Sequence, residues 1–504
     1  MAQLSANEQL MLELVNRARL DPNAEAKRFG IDLNQGLSAG QIKNTTKAPL
    51  ASNALLTDSA LGHSRWMLDT DVFSHTGAGG STPTNRMVAA GYVLSGSWAT
   101  GENISFTGTT GTINATRRII AQHKDLFLSS GHRTNILSES FHEIGIGQKI
   151  GVFTSSGTNY NSSMVTQNFA KTGTAIFLTG VAYNDASGDD FYSVGEGRSG
   201  VAINVSGTAG STQAAGGYQI KTSAGIRDIT FGTGSTAVKV KATILSENAK
   251  IDLVDGKTVE SSVSIELVSG VTSAKLLGLN ALTLKGAAAA ETLYGNAGAN
   301  ALFGGGGNDT LQGKDGNDTL VGSTGADKLD GGAGTDAASY AGSSKGVVAN
   351  LATPGQNTND AAGDSYTAIE GLAGSSYADK LYGNSYANGL LGGSGDDVLS
   401  AGSGNDRLYG ALGADDLTGG LGGDAFIFKA LSDSTVASTG RDTIFDFSGA
   451  AGDRIDFSAI DASTNSTGNQ GFSYIRHSRV PQHGGRIALR QTGHRHLHLW
   501  RCEW

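Results

Sequence analysis

The sequence predicts a multidomain protein in which an α/β domain is followed by all-β domains. Three observations predict this order: helical and strand-like segments mix in the first third, short β-rich runs bounded by Gly, Ser and Asn come next, and a nine-residue repeat fills most of the second half. Because 504 residues exceed what one hydrophobic core can serve, we expect separate domains. These are an N-terminal α/β domain over residues 1–172, one or two β-rich domains over 176–285, and stacked parallel strands from 286 onward.

Composition and charge exclude some classes of partner. The net charge is −9 and only 16% of the residues are charged, whereas nucleic-acid binding needs a basic face and anionic membranes repel an acidic one. No run of about 18 apolar residues predicts a transmembrane segment, and the N-terminus shows no cleaved secretory signal. The only cysteine, Cys502, excludes an internal disulfide. That is typical of a reducing compartment, with calcium-stabilised exported proteins as the exception.

Local signals predict the elements of the N-terminal domain. Ser5 and Glu8 form a capping box before the first helix, which Asp21-Pro22 ends. Apolar spacing predicts two more helices, and alternation of apolar residues predicts strands. The helices lie over residues 58–68 and 114–128, and the strands around 144–146 and 165–169.

The middle region opens with a loop whose acidic spacing suggests a calcium site. In VAYNDASGDDFYSVGEGRSG, positions 1, 3, 5 and 12 of an EF-hand-type loop are occupied by Asp185, Ser187, Asp189 and Glu196. Asp190 stands at position 6, where that loop normally needs Gly, so a polar turn with incidental acids is the alternative. The stretch also resembles the start of an SdrD B-type or Cna-B-like surface domain. Strands are predicted at GVAINV (200–205), AVKVKATIL (237–245) and SVSIELV (262–268).

The second half is built on a nine-residue repeat in two blocks. The blocks cover residues 286–339 and 370–430, with an irregular insertion over 340–369. Units such as GGGGNDTLQ, GKDGNDTLV, GGSGDDVLS and AGSGNDRLY keep Asp and Leu in register. Six residues of each repeat form a turn, and three form a short strand whose leucine points inward. One repeat buries almost nothing, so several must stack before a core exists.

Each turn places a carboxylate among backbone carbonyls, an all-oxygen environment that suits a hard cation such as Ca²⁺. Without metal the stacked carboxylates repel one another, so calcium binding should be coupled to folding. Asn300 and Asn388 stand where Asp is expected, and we predict that those turns bind calcium weakly or not at all. The predicted calcium ligands are Asp309, Asp318, Asp327, Asp336, Asp397, Asp406, Asp415 and Asp424.

This region strongly resembles the RTX, or haemolysin-type, calcium-binding family through its G-G-x-G-x-D-x-U-x pattern. The resemblance implies a parallel β-roll, and the segment over 431–463, with GRDTIFDFSGAAGDRIDFSAID, is similar to the segment that caps such rolls. It also implies export by type I secretion machinery through an uncleaved C-terminal signal, and therefore a secreted, extracellular protein.

The end of the chain departs from that family. Residues 464–504 form an aberrant tail, and from Arg476 to Trp504 there are five of the ten His, six Arg and no Asp. We interpret this tail as out-of-frame sequence that has lost the native export signal, and we predict that it is disordered. The alternative is a His-rich metal-binding tail.

Five motifs of the N-terminal domain together resemble the bacterial branch of the CAP superfamily, also called SCP-like. They are LVNRARLDP (14–22), DVFSHTG (71–77), GENI (101–104), SGHRTNIL (130–137) and HEIGIG (142–147). The resemblance implies an α-β-α sandwich whose cleft gathers two His and two Glu. By motif these are His75, Glu102 and His132, with Glu143 as the fourth. In many members of that family the second Glu lies on the helix before the second His motif. Here that helix carries no Glu, so its Asp125 is the alternative to Glu143.

Two imidazoles that face two carboxylates admit three interpretations. His75 and His132 can bind Zn²⁺ or another divalent metal while the carboxylates orient their rings. The same groups can act as general acid and base, or they can form a buried polar network that holds the sandwich together. His63, beside Trp66 and Met67, is instead predicted to be a packed core histidine.

Together the resemblances imply a secreted bacterial calcium-binding protein that carries a CAP domain on a β-roll folded by extracellular Ca²⁺. The CAP domain would act as a binding or effector module for an unknown extracellular ligand. One alternative is a secreted metal-assisted hydrolase that uses the His/Glu cleft. The other is a surface adhesin in which the CAP cleft is inert. The motifs leave open whether the protein is an enzyme.

Overall fold

The computed structural model describes residues 3–435 and 437–460, and it gives the backbone of residues 487–492 and 496–501. The chain divides into two compact units, Met1–Leu282 and Thr283–Trp504. None of the described helices is both long and apolar enough to cross a membrane. The described α-helices all belong to the first unit and are α1 (Ala6–Leu20), α2 (Pro22–Arg28), α3 (Ala54–Thr70), α4 (Pro83–Ala89), α5 (Ala115–Leu128) and α6 (Ser130–Ile136).

Helix α1 begins and ends where the sequence predicts. The Ser5 N–H donates to Glu8 Oε2 at 2.8 Å and the Glu8 N–H donates to Ser5 Oγ, which completes the capping box. Asp21 ends α1 and caps α2 by accepting a hydrogen bond from the Ala24 N–H at 2.9 Å. The other two predicted helices lie inside α3 and α5, whose N-caps are Asn53 and Asn114.

Four strands form the sheet of the N-terminal domain: β1 (Ala51–Ser52), β2 (Trp98–Thr109), β3 (Glu143–Ser155) and β4 (Thr158–Thr172). Their order is β1-β3-β4-β2, with only the β1–β3 pair parallel. Helix α3 lies so close to β3 that a Cβ on Gly145 would stand 2.1 Å from the Leu56 carbonyl carbon. Ile144 and Ile146 point to the other face, into a core shared with α1 and α5. The predicted α-β-α sandwich is therefore confirmed.

The middle region forms two sets of strands in the same unit. One set has the order β8-β5-β11-β12-β14 and the other has the order β7-β6-β9-β10-β13. Their bounds are β5 (Ile176–Tyr183), β6 (Ala202–Val205), β7 (Thr208–Ser211), β8 (Gly217–Thr222), β9 (Gly225–Phe231), β10 (Val238–Ile244), β11 (Ala249–Val254), β12 (Thr258–Ser261), β13 (Ile265–Ser269) and β14 (Ser273–Leu276).

These strands pack against α1 and share its core. Tyr183 and Val254 belong to the same buried cluster as Val15 of α1. The buried Lys250 ammonium lies 2.9 Å from Glu13 Oε2 of α1 and also contacts the Asp252 carboxylate. The middle region and the α/β domain, predicted as separate domains, therefore lie in one compact unit.

The second unit is a parallel β-roll, as predicted. Strands pair in parallel at a spacing of 18 residues, so Leu302 stands beside Leu320 and Leu311 beside Leu329, and these leucines are fully buried. Two repeats therefore make one coil. The strands of the first block are β15 (Thr283–Lys285), β16 (Thr292–Tyr294), β17 (Ala301–Gly306), β18 (Thr310–Asp315), β19 (Thr319–Thr324), β20 (Lys328–Ala333) and β21 (Ala337–Ser339).

The insertion interrupts only one face of the roll. On one face β21 pairs directly with a strand of the second block, β24, so this sheet runs on. On the other face β20 pairs with β23, whereas β22 starts a new sheet by pairing with β25. The bounds are β22 (Val348–Asn350), β23 (Ser365–Thr367), β24 (Gly371–Ala373), β25 (Lys380–Tyr382), β26 (Gly389–Ser394), β27 (Val398–Ser403), β28 (Arg407–Leu412), β29 (Asp416–Leu421) and β30 (Ala425–Ile427).

The predicted capping segment adds one strand to each face. Strand β31 (Thr443–Ile444) pairs with β29, and β32 (Arg454–Asp456) pairs with β30. Residue 436 and residues 461–463 of this segment lie outside the described residues. In the tail, β33 (Ile487–Thr492) and β34 (His496–Arg501) form an antiparallel pair, which differs from the disorder expected there. The rest of the tail lies outside the described residues.

Candidate functional site

The predicted calcium ligands of the roll share one geometry. All eight aspartates are buried, with 1% exposure or less. In each, Oδ1 accepts a hydrogen bond of 2.7–2.9 Å from the backbone N–H of the residue 18 positions earlier, in the preceding coil. The sequence period therefore brings the carboxylates into two rows along the roll, one for each turn of the coil.

The second carboxylate oxygen of each aspartate has no partner. Among the described residues, Oδ2 of all eight predicted ligands is buried without a hydrogen-bond donor. Burial raises the pKa of Asp309 and Asp318 to about 6, and that of Asp397 to about 8. A neighbouring carboxylate adds to the shift in each case. A buried, unpaired carboxylate oxygen is costly unless a cation or a proton neutralises it, and the raised pKa values express this cost.

Glycine residues, which have no side chain, leave space around these oxygens. A Cβ on Gly304 would stand 2.4 Å from Asp309 Oδ2, and a Cβ on Gly392 would stand 2.3 Å from Asp397 Oδ2. At seven of the eight aspartates the first residue of the repeat is a glycine that keeps Oδ2 free of side-chain neighbours, and Ala401 takes this position before Asp406. Oxygen donors of this kind, left unsatisfied in a row, fit Ca²⁺.

The two turns with asparagine differ from the aspartate turns in how the side-chain oxygen is bonded. Asn300 Oδ1 accepts a hydrogen bond from the Asn296 N–H at 2.7 Å, and Asn388 Oδ1 accepts one from the Asn384 N–H at 2.8 Å. These side chains are neutral and their oxygens are already bonded. That these turns bind calcium weakly or not at all stays a prediction, which the bonded amide oxygens support.

Sequence analysis missed one aspartate with the same geometry. Asp442 Oδ1 accepts from the Asp415 N–H at 3.1 Å, while its Oδ2 is buried and has no donor among the described residues. Burial, and then the Asp415 carboxylate, raise the pKa of Asp442 to about 9. The nine-residue phase could have found it, because Asp442 stands 18 positions after Asp424. The glycine pattern had already ended, which hid the signal.

In the acidic loop of the middle region, the acidic side chains accept hydrogen bonds from other residues of the same loop. Asp185 Oδ1 accepts from the Gly188 N–H at 2.8 Å, Asp189 Oδ1 accepts from the Ser187 hydroxyl at 2.9 Å, and Glu196 Oε1 accepts from the Ser187 N–H at 2.9 Å. Asp190, in the position that normally holds Gly, adopts φ +55°. The loop therefore brings the four predicted residues together, with their side-chain oxygens bonded inside the loop. A calcium ion here stays a prediction.

In the N-terminal domain, Glu102 on β2 holds His75. His75 Nδ1 lies 2.9 Å from Glu102 Oε1, and the Arg86 guanidinium donates to Glu102 Oε2 at 2.6 Å. The Glu102 side chain is 2% exposed whereas that of His75 is 52% exposed. With the ring proton on Nδ1, His75 directs the lone pair of Nε2 away from the glutamate. Arg86 carried no motif signal, so sequence analysis missed it.

His132 lies next to His75 at the start of α6. Burial, with a contribution from His75, lowers the pKa of His132, so the ring is neutral and can act as a ligand or base. The Asn103 side chain donates to the His132 carbonyl at 3.2 Å, and Asn135 donates to Asn103 Oδ1 at 2.9 Å. These amides, from the GENI and SGHRTNIL motifs, tie β2 to α6. Both motifs therefore help to hold the two sides of the cleft together.

Glu143 takes part in a different network. Its oxygens accept hydrogen bonds from the Asn53 amide and the Tyr92 hydroxyl, each at 2.7 Å, and its side chain is buried. Both oxygens are thus engaged at the junction of β3 with α3. Asp125, the alternative, is exposed on α5. In the described part of the chain, neither carboxylate is hydrogen-bonded to His75 or His132.

His63 is buried as predicted but lies directly behind the cleft. Its ring stacks on Trp66 at 5.5 Å, and Nε2 lies 2.9 Å from the Ser74 carbonyl and 4.0 Å from Glu102 Oε1. Burial, with a contribution from Arg86, lowers the pKa of His63 to about 4. A neutral His63 therefore supports the loop that carries His75.

The cleft thus offers two imidazoles. The ring of His132 is neutral, and the ring of His75 is oriented by the Glu102 carboxylate. No group of three or more His, Cys, Asp or Glu side chains in the described part of the chain is arranged to hold a metal ion. Two imidazoles could hold a divalent metal whose remaining positions are taken by water or a ligand. An imidazole backed by a carboxylate could equally serve as a general base.

Comparisons with known proteins match two regions. The model of the cysteine-rich secretory protein family, CAP, matches residues 12–169. The model of the RTX calcium-binding nonapeptide repeat matches residues 285–320, 312–338 and 391–425. No curated protein matches the chain.

Among solved structures, one match is a crystal structure of an extracellular protein containing an SCP domain from Bacillus anthracis strain Ames. The two proteins are 22% identical, the match covers 34% of this chain and 44% of that one, and the TM-score is 0.20. The chain thus spans less than half of that protein. Taken with the sandwich and the roll described above, the family matches identify a chain that joins a CAP domain, at residues 12–169, to RTX calcium-binding repeats between residues 285 and 425.

Proposed function

We propose that this is a secreted protein whose roll folds on extracellular calcium and displays a CAP domain as a binding or effector module. The unpartnered, buried Oδ2 atoms of the eight repeat aspartates carry the proposal, because they leave two rows of carboxylate oxygens that a hard cation can satisfy. Export by a type I secretion machine is the route that the RTX repeats suggest.

Calcium, when bound, supplies the positive charge that these carboxylates lack. The chain's own residues do the rest: backbone N–H groups of one coil orient the Oδ1 atoms of the next, and a glycine at the start of seven of the eight repeats keeps Oδ2 accessible. At low intracellular calcium the carboxylates would repel one another and the roll would stay unfolded. At extracellular calcium, near the Kd of about 10⁻⁴–10⁻³ M typical of such modules, folding would follow binding.

Circular dichroism of the full chain during a calcium titration tests this coupling. We expect β-structure to increase between about 10⁻⁴ and 10⁻² M Ca²⁺ and to be lost in excess chelator. The same titration with Mg²⁺ is the control, because Mg²⁺ demands a smaller octahedral site. A spectrum that is already complete in chelator would contradict the proposal.

For the CAP domain, binding of an unknown extracellular ligand is the function proposed, with metal-assisted hydrolysis as the second candidate. The hydrolase candidate is favoured by the 2.9 Å contact that orients His75 against Glu102. Metal content and peptide or ester cleavage should be measured for His75→Ala and His132→Ala, with Asp125→Asn as an exposed control. Loss of both in the two His variants alone would support a metal hydrolase. Unchanged metal content would eliminate a metal at the cleft.

A further inference from the structure

The turns of the roll are of two kinds, distinguished by the second residue of the repeat. In one kind, which we call open, this residue has a positive φ of 72–116° and belongs to a six-residue strand. The second residues of the open turns are Gly305, Lys314, Ser323, Gly332, Gly393, Gly402, Ala411 and Gly420. These eight turns hold the eight predicted ligands, whose Oδ2 has no donor among the described residues, and Asp442, the ninth aspartate of this kind, lies after them in the capping segment.

In the other kind, which we call closed, the second residue has no positive φ and lies outside a strand. Its backbone N–H donates instead to the side chain of the sixth residue of the same turn, at 2.6–3.2 Å. The donor and acceptor pairs are Ala287 with Glu291, Asn296 with Asn300, Ser375 with Asp379, Asn384 with Asn388, and Lys429 with Asp433.

The sheet ladder explains the difference. In open turns the second residue pairs with its counterpart in the neighbouring coil, as Gly305 does with Ser323 and Gly393 with Ala411. Its N–H is then committed to the sheet, and the aspartate of its own turn keeps one oxygen without a donor. In closed turns the preceding strand is only three residues long, as in β25, so the N–H is released to the carboxylate or amide.

We infer that, of the open and closed turns, only the open ones bind calcium, and that Asp379 and Asp433 are not calcium ligands although they keep the nine-residue phase. This inference rests on the proposed calcium function. Ser375 donates to Asp379 through both its N–H, at 2.6 Å, and its hydroxyl, at 3.0 Å, and Asp433 Oδ2 accepts from Lys429 at 2.7 Å and Ala430 at 2.9 Å. A cation would have to break these bonds before it gained a ligand. Each block therefore begins with two turns that satisfy themselves without metal.

Calcium stoichiometry of the full chain tests the inference. Equilibrium dialysis with radioactive calcium should be compared for the wild type, Asp379→Asn, Asp433→Asn and Asp397→Asn. Each substitution removes one negative charge from a buried aspartate, at Asp379 and Asp397 in the second block and at Asp433 directly after it, so the variants are matched. We expect Asp379→Asn and Asp433→Asn to bind as many ions as the wild type, and Asp397→Asn to lose at least one.

The outcomes separate the two claims. If Asp379→Asn and Asp433→Asn lose calcium as Asp397→Asn does, the distinction between open and closed turns is wrong while the calcium roll stands. If Asp397→Asn also keeps every ion of the wild type, the proposed calcium ligands are themselves wrong. Asp379 Oδ1 also accepts a hydrogen bond from the Val347 N–H at 2.6 Å. Should Asp379→Asn therefore fail to fold, Asp433→Asn decides the comparison.

Discussion

Asp327 Oδ1 accepts a hydrogen bond of 2.8 Å from the backbone N–H of Asp309, which lies one coil earlier in the roll. Each ligand of the roll is thus positioned by the backbone beside the previous ligand, and the same bond recurs from Asp309 back to Glu291. A turn cannot place its carboxylate unless its neighbour is folded. Calcium sites along one row should therefore be coupled.

The coupling predicts that one lost carboxylate affects more than its own turn. Asp327→Asn removes a charge from the middle of the first row, so the calcium concentration at half-folding should rise several-fold and the titration should become less steep. Asp69→Asn is the control, because Asp69 is an exposed aspartate of α3, outside the roll. Circular dichroism titration measures both. A simple loss of one site with unchanged midpoint would mean that the turns bind independently.

A methyl group beside a carboxylate oxygen should damage the roll. Gly392→Ala places a Cβ 2.3 Å from Asp397 Oδ2, whereas Gly389→Ala, on the same strand, meets nothing within 4 Å. Because Ala401 already occupies the equivalent position before Asp406, the roll accepts some adjustment here. We expect Gly392→Ala to weaken calcium binding several-fold and Gly389→Ala to leave it within about twofold. Isothermal titration calorimetry with Ca²⁺ measures the difference. Equal effects of the two substitutions would show that Oδ2 is not where the cation binds.

Removal of the Glu102 charge tests a metal at the cleft. Glu102 orients His75, and loss of such an outer partner typically lowers metal affinity about 10–100-fold. Glu102→Gln should therefore weaken Zn²⁺ binding by that factor, as measured against a competing chelator at constant calcium. Glu139→Gln is the control, because Glu139 pairs with Lys47 and its side chain is 69% exposed. Zn²⁺ affinity that is unchanged in Glu102→Gln would leave the cleft without a metal role.

Acid should remove one specific stabilising interaction of the first unit. Burial opposes ionisation of Glu25, but hydrogen bonds from His123 and Arg17 outweigh it and lower its pKa to about 2. Because this pKa is depressed, the stabilisation is present above the ordinary pKa of 4.5 and is lost as pH falls through about 2. At pH 7 it amounts to about 3 kcal/mol.

Urea unfolding, followed by tryptophan fluorescence, measures this contribution. Glu25→Gln should lower the free energy of unfolding by about 3 kcal/mol at pH 7, and the difference from wild type should shrink between pH 4.5 and pH 2. Glu266→Gln breaks only an exposed pair with Lys241 and should cost less than about 1 kcal/mol at any pH. A difference that stays constant with pH would mean that Glu25 acts through packing alone.

The predicted parts of the fold rest on short-range chemistry. Ser5 and Glu8 cap α1 because both groups lie within one helical turn. The repeat aspartates fall into rows because a fixed period in sequence becomes a fixed position in each coil. In the cleft, the motifs identified His75, Glu102 and His132, which the structure places together. The motif resemblance also assigned Glu143 to the cleft. In the structure its carboxylate accepts hydrogen bonds from Asn53 and Tyr92 instead.

The sequence by itself determined which residues of the second half face inward and which carry oxygen donors, since period and residue type suffice for both. Only the tertiary structure decided which turns are left with a free carboxylate oxygen. Ser323 lies in an open turn and Ser375 in a closed one, and Ala411 and Ala287 differ in the same way. Within each pair the residue type is the same. The two residues differ in whether the backbone N–H donates its hydrogen bond to the neighbouring coil. That bond joins residues a full coil apart, so a nine-residue pattern does not encode it.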